Sequence, residues 1–370
     1  MRTFACHCGN TLFFRNLGCA RCGRQVNFLP DQQRLSAVAP AADGTLVPVS
    51  PGAVVRPYRQ CQNQIQHQVC NWLIPAAEPT AMCVACRLNR TIPDLSIPGN
   101  LELWQRLEVA KHHTVYSLLQ LGLPVLDQQC DPVNGLAFEF LADSTPDSEF
   151  TEPLYSVPPV VTGHDNGVVT INLAEADPVA RTRIRRDMGE GYRTLLGHFR
   201  HEVGHYYWQQ LVAGSGDLAG FRNRFGDERA DYGTALQAYY AQPTPRQVPP
   251  QYISAYASSH PWEDWAECWA HYLHMVDTLE TAADFGLHIN DRLLEHRPDP
   301  ETPVPIGNPG DDFAAMLEDW HRLSVAINAL NRSMGAEDPY PFVITRGVEE
   351  KLEFVYRIIA RARRRPGLEY

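Results

Sequence analysis

Leu195-Leu196-Gly197-His198-Phe199-Arg200-His201-Glu202-Val203-Gly204-His205-Tyr206-Tyr207-Trp208 is the stretch whose reading decides the rest. Its apolar residues repeat at helical spacing, and a helix puts residues i and i+4 on one face. His201 and His205 can therefore reach one zinc ion, while Glu202, one position round, can serve as general base towards a zinc-activated water. The bland alternative is a core helix whose histidines satisfy internal hydrogen bonds. Intact Glu202 argues against a further reading, a catalytically silent scaffold, because a purely structural zinc site has no use for a base.

A catalytic zinc needs a third protein ligand and one open position. The extended metzincin pattern would place a histidine six residues after His205, where this chain has Leu211. Two acidic segments remain downstream. The first is Gly226-Asp227-Glu228-Arg229-Ala230-Asp231. The second is Trp262-Glu263-Asp264-Trp265-Ala266-Glu267, preceded by His260-Pro261.

His-Glu-x-x-His followed by a helix bearing Glu-Asp-Trp-Ala-Glu resembles the gluzincin superfamily of zinc metallopeptidases. The chain as a whole resembles a bacterial family of zinc-binding metallopeptidases with amino-terminal zinc ribbons. Cys86-Arg87-Leu88-Asn89-Arg90-Thr91-Ile92-Pro93-Asp94 and Leu330-Asn331-Arg332-Ser333-Met334-Gly335 extend that resemblance over nearly the full length. The resemblance implies Glu263 as third ligand and Glu267, one turn on, as the acid that orients a ligating histidine. It also implies Tyr256 as a donor to the tetrahedral oxyanion, with Tyr252 a neighbour of the same type. The 58 positions between His205 and Glu263 exceed the thermolysin-like separation, which Glu228, 23 positions on, fits better. Glu228 is the alternative ligand.

The ten cysteines carry a second message. Eight of them fall in the first 86 residues. No apolar signal follows Met1, so a cytoplasmic location is expected and metal binding explains the cysteines better than disulfides. Cys6-x-Cys8-Gly9 and Cys19-x-x-Cys22-Gly23 read as two zinc knuckles closing one tetrahedral site. His7 lies inside the first knuckle, but four thiolates are available without it. Cys61, Cys70, Cys83 and Cys86 form a less regular second set. The expected cofactors are three Zn2+ ions, one catalytic and two structural.

The chain has 370 residues, 44% hydrophobic and 20% charged, a balance that excludes disorder and a coiled coil as the main architecture. Residues 1–90 hold nine arginines and three acids, a net of +6 that leaves −17 for the remainder. Thiolates on two zinc ions would offset most of the basic excess, and few aromatics interleave with the arginines. A nucleic-acid partner is therefore not expected, nor is a membrane. The expected partners are a peptide or protein substrate and a protein recruited through the ribbons.

The organisation predicted is a zinc-ribbon region over 1–90, a helical connector over 91–150 and a metallopeptidase-like domain over 151–370, α+β and largely helical. Residues 30–60, rich in proline, alanine and glycine, read as a linker, and the acidic stretch 141–153 as a boundary. Helices are predicted near 101–121, 180–188, 192–212, 221–240, 262–279, 311–330 and 348–364. A hairpin with an Asn166-Gly167 turn joins 157–163 to 168–173. The resemblance implies that an edge strand there pairs with extended substrate. The competing reading is a catalytically silent scaffold or binding protein on a peptidase-like fold.

Overall fold

Cysteine and glycine turns cut the start of the chain into very short strands. The computed structural model describes residues 1–143, 160–188, 194–243, 246–290, 303–305 and 312–363. Phe4–Ala5 (β1) and Thr11–Leu12 (β2) pair antiparallel. Val26–Leu29 (β3), Arg34–Pro40 (β4), Leu46–Pro48 (β5), Tyr58–Gln60 (β6) and Leu73–Pro75 (β7) then form an antiparallel sheet in sequential order, with Gln62–His67 (α1) before β7. This corrects the reading of 30–60 as a linker. The small residues there, Ser36 and Ala37, are buried strand residues, and Pro30 and Gly44 mark turns.

A second sheet is built from distant segments. Asn89–Thr91 (β8) precedes the long helix Asn100–Gln120 (α2), and Ala137–Leu141 (β9) follows it. Gly163–Asp165 (β10) and Val168–Asn172 (β11) form a hairpin about Asn166 and Gly167, both at positive φ, with the first strand at 163–165 rather than the predicted 157–163, of which 157–159 lie outside the described residues. The sheet order is β10-β11-β9-β8, so β10 is an edge strand. The predicted boundary at 141–153 lies mostly outside the described residues.

The remaining elements are helical apart from one short strand pair. They are Pro178–Met188 (α3), Leu195–Leu211 (α4), Leu218–Phe225 (α5), Tyr232–Tyr240 (α6) and Pro261–Asp284 (α7). His288–Asn290 (β12) pairs with Pro303–Pro305 (β13), and Phe313–Ser333 (α8) and Arg346–Arg363 (α9) complete the order. The single helix predicted for 221–240 is two. Gly226, at φ 106°, leaves the helical region after Phe225, and the Asp231 side chain caps α6 by accepting from the Thr234 N–H at 2.7 Å. Mixed helices and sheets agree with the α+β expectation. Among the described residues, no helix is long and apolar enough to cross a membrane.

One apolar core runs from Cys6 to Ala362. Phe138 and Phe140 of β9 pack on Phe199 of α4, and Trp265 and Trp269 of α7 lie against α4 as well. The two helices approach closely at Gly204, where a Cβ would stand 3.1 Å from the Ala266 Cα and from the Trp269 ring. Gly204→Ala is expected to lower stability by about 1–3 kcal/mol, the range for overpacking a close contact, read from the denaturant midpoint.

His113 of α2 packs edge-on against Phe14 at 5.0 Å. Burial, helped by Arg200 and Arg15, pushes its imidazole down to about 3. The unfolded chain, with an ordinary histidine near 6.5, binds a proton in acid that the folded chain refuses. This contribution is present above that pH and lost as pH falls below it. Chemical denaturation from pH 7 to 5 should show a decline that is shallower in His113→Phe than in the wild type.

Candidate metal centre and active site

The first turn of α4 is fixed by Thr194, whose hydroxyl accepts from the Gly197 N–H at 2.9 Å. The first turn of α7 is fixed by His260, which accepts from the Trp262 N–H at 3.2 Å, with Pro261 at the first helical position. These caps set where each helix starts, and the close contact at Gly204 sets how the two face one another. Together they bring His201 and His205 of α4 against Glu263 of α7.

His201 Nε2 lies 3.2 Å from His205 Nε2 and 2.9 Å from Glu263 Oε2, and His205 Nε2 lies 3.5 Å from Glu263 Oε1. Donors about 2.0–2.1 Å from a tetrahedral zinc stand about 3.3 Å apart, so this set fits the ion. Glu263 is 1% exposed. Burial opposes its ionisation, but His205 and His201 outweigh burial and hold the carboxyl well below the usual range.

Glu267, one turn on from Glu263, lies against His201. Its Oε1 meets His201 Nδ1 at 2.8 Å, which leaves His201 Nε2 for a metal, and its Oε2 accepts from the Ser254 hydroxyl at 2.7 Å. Against its burial, the His201 contact holds Glu267 down to about 2. Glu202 lies buried on the same helix. Burial pushes its pKa up, but His198 and His201 lower it further, so the carboxylate form is favoured.

Glu228 does not join this cluster. It is buried in a two-pronged pair with Arg222, at 2.9 Å from Nε and 2.5 Å from Nη2. Tyr256 sits on a turn against α7 with its ring 5.9 Å from that of His201, and burial raises its hydroxyl pKa well above the usual value. Tyr232, which sequence reasoning missed, donates to Glu263 Oε1 at 2.7 Å. Its signal was the Asp231 cap, since a helix starting there puts Tyr232 in the first turn. The donors lie in a cleft of about 1690 Å³, lined on one side by residues 160–166 at the sheet edge and on the other by Tyr239, Tyr252 and Tyr256.

None of the ten cysteines is in a disulfide. Cys6 and Cys22 lie 3.7 Å apart, Cys8 and Cys19 3.6 Å, and Cys70 and Cys83 3.7 Å. Sulfurs about 2.3 Å from a tetrahedral zinc stand about 3.8 Å apart, so these pairs have the spacing of zinc-bound thiolates. Cys61, Cys70, Cys83 and Cys86 converge, all buried. In the first set Cys6, Cys8 and Cys22 converge together with His7, and Cys19 approaches through Cys8. His7 Nε2 accepts from Arg24 Nε at 3.1 Å, which keeps the ring proton on Nδ1, the nitrogen 3.4 Å from Cys6 Sγ. A protonated Nδ1 donates to sulfur and cannot hold metal.

Sequence reasoning also missed the far side of the second cysteine set. His112 of α2 puts Nε2 3.4 Å from Cys70 Sγ and donates from Nδ1 to the Glu108 carbonyl at 2.6 Å. Lys111, wholly buried, pairs with Glu108 at 2.8 Å. Helical periodicity shows these positions as one more turn of α2, with no hint of the sulfurs they face.

Residues 100–358 match the model of a family described as "Putative zinc-binding metallo-peptidase", and residues 3–97 match a zinc-ribbon domain. The chain belongs to that metallopeptidase family. It is 38% identical over 361 residues to uncharacterized proteins of Mycobacterium bovis and Mycobacterium tuberculosis, covering 97% of this chain and 95% of theirs. No solved structure matches it.

Because Glu267 is the partner of His201 Nδ1, Glu267→Ala should weaken zinc at this centre roughly 10- to 100-fold. Chelator competition measures it, and the two cysteine sets should be unaffected.

Proposed function

We propose that the protein is a zinc metallopeptidase that hydrolyses peptide or related amide bonds, with Glu202 as general base. The observation that carries this reading is the convergence of His201, His205 and Glu263 in a cleft large enough for a peptide, with a buried carboxylate at Glu202 on the helix that carries both histidines. His201, His205 and Glu263 would hold the zinc, which when bound supplies a Lewis acid that polarises the scissile carbonyl and acidifies water. Glu202 takes the proton from the attacking water and delivers it to the leaving amine. Glu267 keeps His201 oriented. Tyr232 holds the Glu263 carboxylate through its hydroxyl, and Tyr256 serves as hydrogen-bond donor to the developing oxyanion.

The edge position of β10 supports binding of an extended peptide by strand addition, with residues 160–165 supplying main-chain hydrogen bonds. Cys6, Cys8, Cys19 and Cys22 are assigned to one structural zinc, and Cys61, Cys70, Cys83 and Cys86 to another.

Protein purified without chelator should carry three zinc ions per chain by metal analysis. His205→Ala and Glu263→Ala should carry two, and Glu228→Ala three. Glu202→Gln should keep all three ions and lose hydrolysis of a mixed peptide library by roughly 10²- to 10⁴-fold, the usual contribution of general acid–base catalysis. Full zinc loading without hydrolysis would move the protein to the scaffold reading. Two ions in the wild type, unaltered by these substitutions, would remove the centre itself.

A further inference from the structure

His198 belongs neither to the metal donors nor to the assigned base, yet it is joined to both faces of the site. It lies one turn before Glu202, and the i, i+4 spacing puts the two side chains on one helix face. Its Nε2 is 3.2 Å from Glu202 Oε1, and its Nδ1 meets Glu175 Oε2. Glu175 sits in the buried turn Leu173–Ala176 that follows β11. Its other oxygen accepts from the Thr162 hydroxyl at 2.6 Å, and that hydroxyl accepts in turn from the Asn172 N–H at 3.0 Å. Thr162 immediately precedes β10 and lines the cleft. A chain of four side chains therefore runs from the edge of the sheet to the carboxylate on the metal-binding helix.

We propose that His198 is a positioning residue: held by Glu175, it fixes the rotamer of Glu202, and Thr162 ties that clamp to the strand on which an extended substrate lies. The proposal rests on Glu202 being the base. A glutamate has three rotatable bonds, and a buried one without an anchor occupies several rotamers, of which few point at a reacting water. Packing alone would be satisfied by an apolar side chain at 198. An imidazole set between two carboxylates orders both of them.

The test uses the zinc-loaded full chain as wild type, His198→Ala, His198→Gln, Glu175→Gln, Thr162→Val and, for reference, Glu202→Gln. Zinc content, steady-state kinetics on a peptide that the wild type cleaves, and calorimetric affinity for acetohydroxamate are measured. Acetohydroxamate chelates zinc through its oxygens and offers a proton to a carboxylate placed beside the ion, so its affinity reports where Glu202 points.

His198→Ala should keep its zinc and lose roughly 10- to 100-fold in kcat, the usual effect of removing an outer partner. Its KM should stay within about twofold, because a group acting through the base alone leaves ground-state binding in place. Acetohydroxamate should weaken in the same direction as in Glu202→Gln, and His198→Gln, which retains a donor, should recover part of both losses. Glu175→Gln should fall between. Wild-type kcat and hydroxamate affinity in His198→Ala would overturn the proposal, as would loss of zinc or a rise in KM at constant kcat. An unchanged Thr162→Val would overturn the link to the strand. A wild type that binds zinc and acetohydroxamate but cleaves no peptide would refute the peptidase reading, and the affinity series would still decide the role of His198.

Discussion

The site depends on one steric constraint, the missing side chain at Gly204. Metal donors tolerate errors of about 0.2 Å, whereas one residue of helix advances 1.5 Å, so the register between α4 and α7 must be set by something stiffer than the donors themselves. Gly204 supplies it. The Trp269 ring and Ala266 backbone fill the space that a Cβ would need, and the Trp265 indole N–H is drawn to the Gly204 carbonyl at 2.8 Å. Further along, Arg200 of α4 meets Asp277 of α7, and Ser117 of α2 donates to the same carboxylate at 2.7 Å. Three helices are thereby locked along a line that ends at His201, His205 and Glu263.

Within that frame the electrostatics are those of a site prepared for a cation. Glu263 and Glu267 are buried, and burial alone would neutralise them. The histidines hold both as carboxylates. His201 lies between the two, with one ring nitrogen on each. A divalent ion at the proposed site would relieve this crowding of charge better than protons do, because one ion would satisfy two imidazoles and Glu263 at once. Beside this set, Asp264 shows the opposite solution. It pairs with Lys351 at 2.5 Å in the core, and burial still raises it to about 7. Two adjacent acids on one helix are thus shifted in opposite directions by their surroundings, and only Glu263 faces the cleft.

The central helix, its histidines and the Glu263 helix were legible because their signals are local: i, i+4 spacing, Pro261 at a helix's first turn, and an apolar stripe. The hairpin was legible from Asn166-Gly167 for the same reason. Residues 30–60 were misread because proline and alanine mark linkers by composition, and only cross-strand partners such as Phe28 with Leu35 show that the segment is a sheet. The partners of Tyr232, His112 and His198 were invisible on similar grounds. Each depends on an atom contributed by a segment 23 to 42 positions away, as with Glu263 opposite Tyr232, Cys70 opposite His112 and Glu175 opposite His198.

That long-range dependence also decides how the ribbons relate to the rest. Cysteine-rich segments of this size are often treated as separable modules, but here the seam is part of the core. Phe14 and Phe28 pack on Tyr116 of α2 at 5.0 and 5.8 Å, and Trp72 lies against His112 at 5.0 Å. The second cysteine set is closed on its far side by α2, where Lys111 and Glu108 are buried as a pair beneath it. Removing residues 1–90 would therefore expose aromatic surface, leave His112 and Glu108 without the sulfurs they face, and take from Lys111 its partner Asn89. A loss of turnover in such a truncation would report the broken core rather than a catalytic role for the ribbons. A substitution at Cys22, on the exposed rim of the first set, leaves the seam in place, so it separates the two effects where truncation cannot.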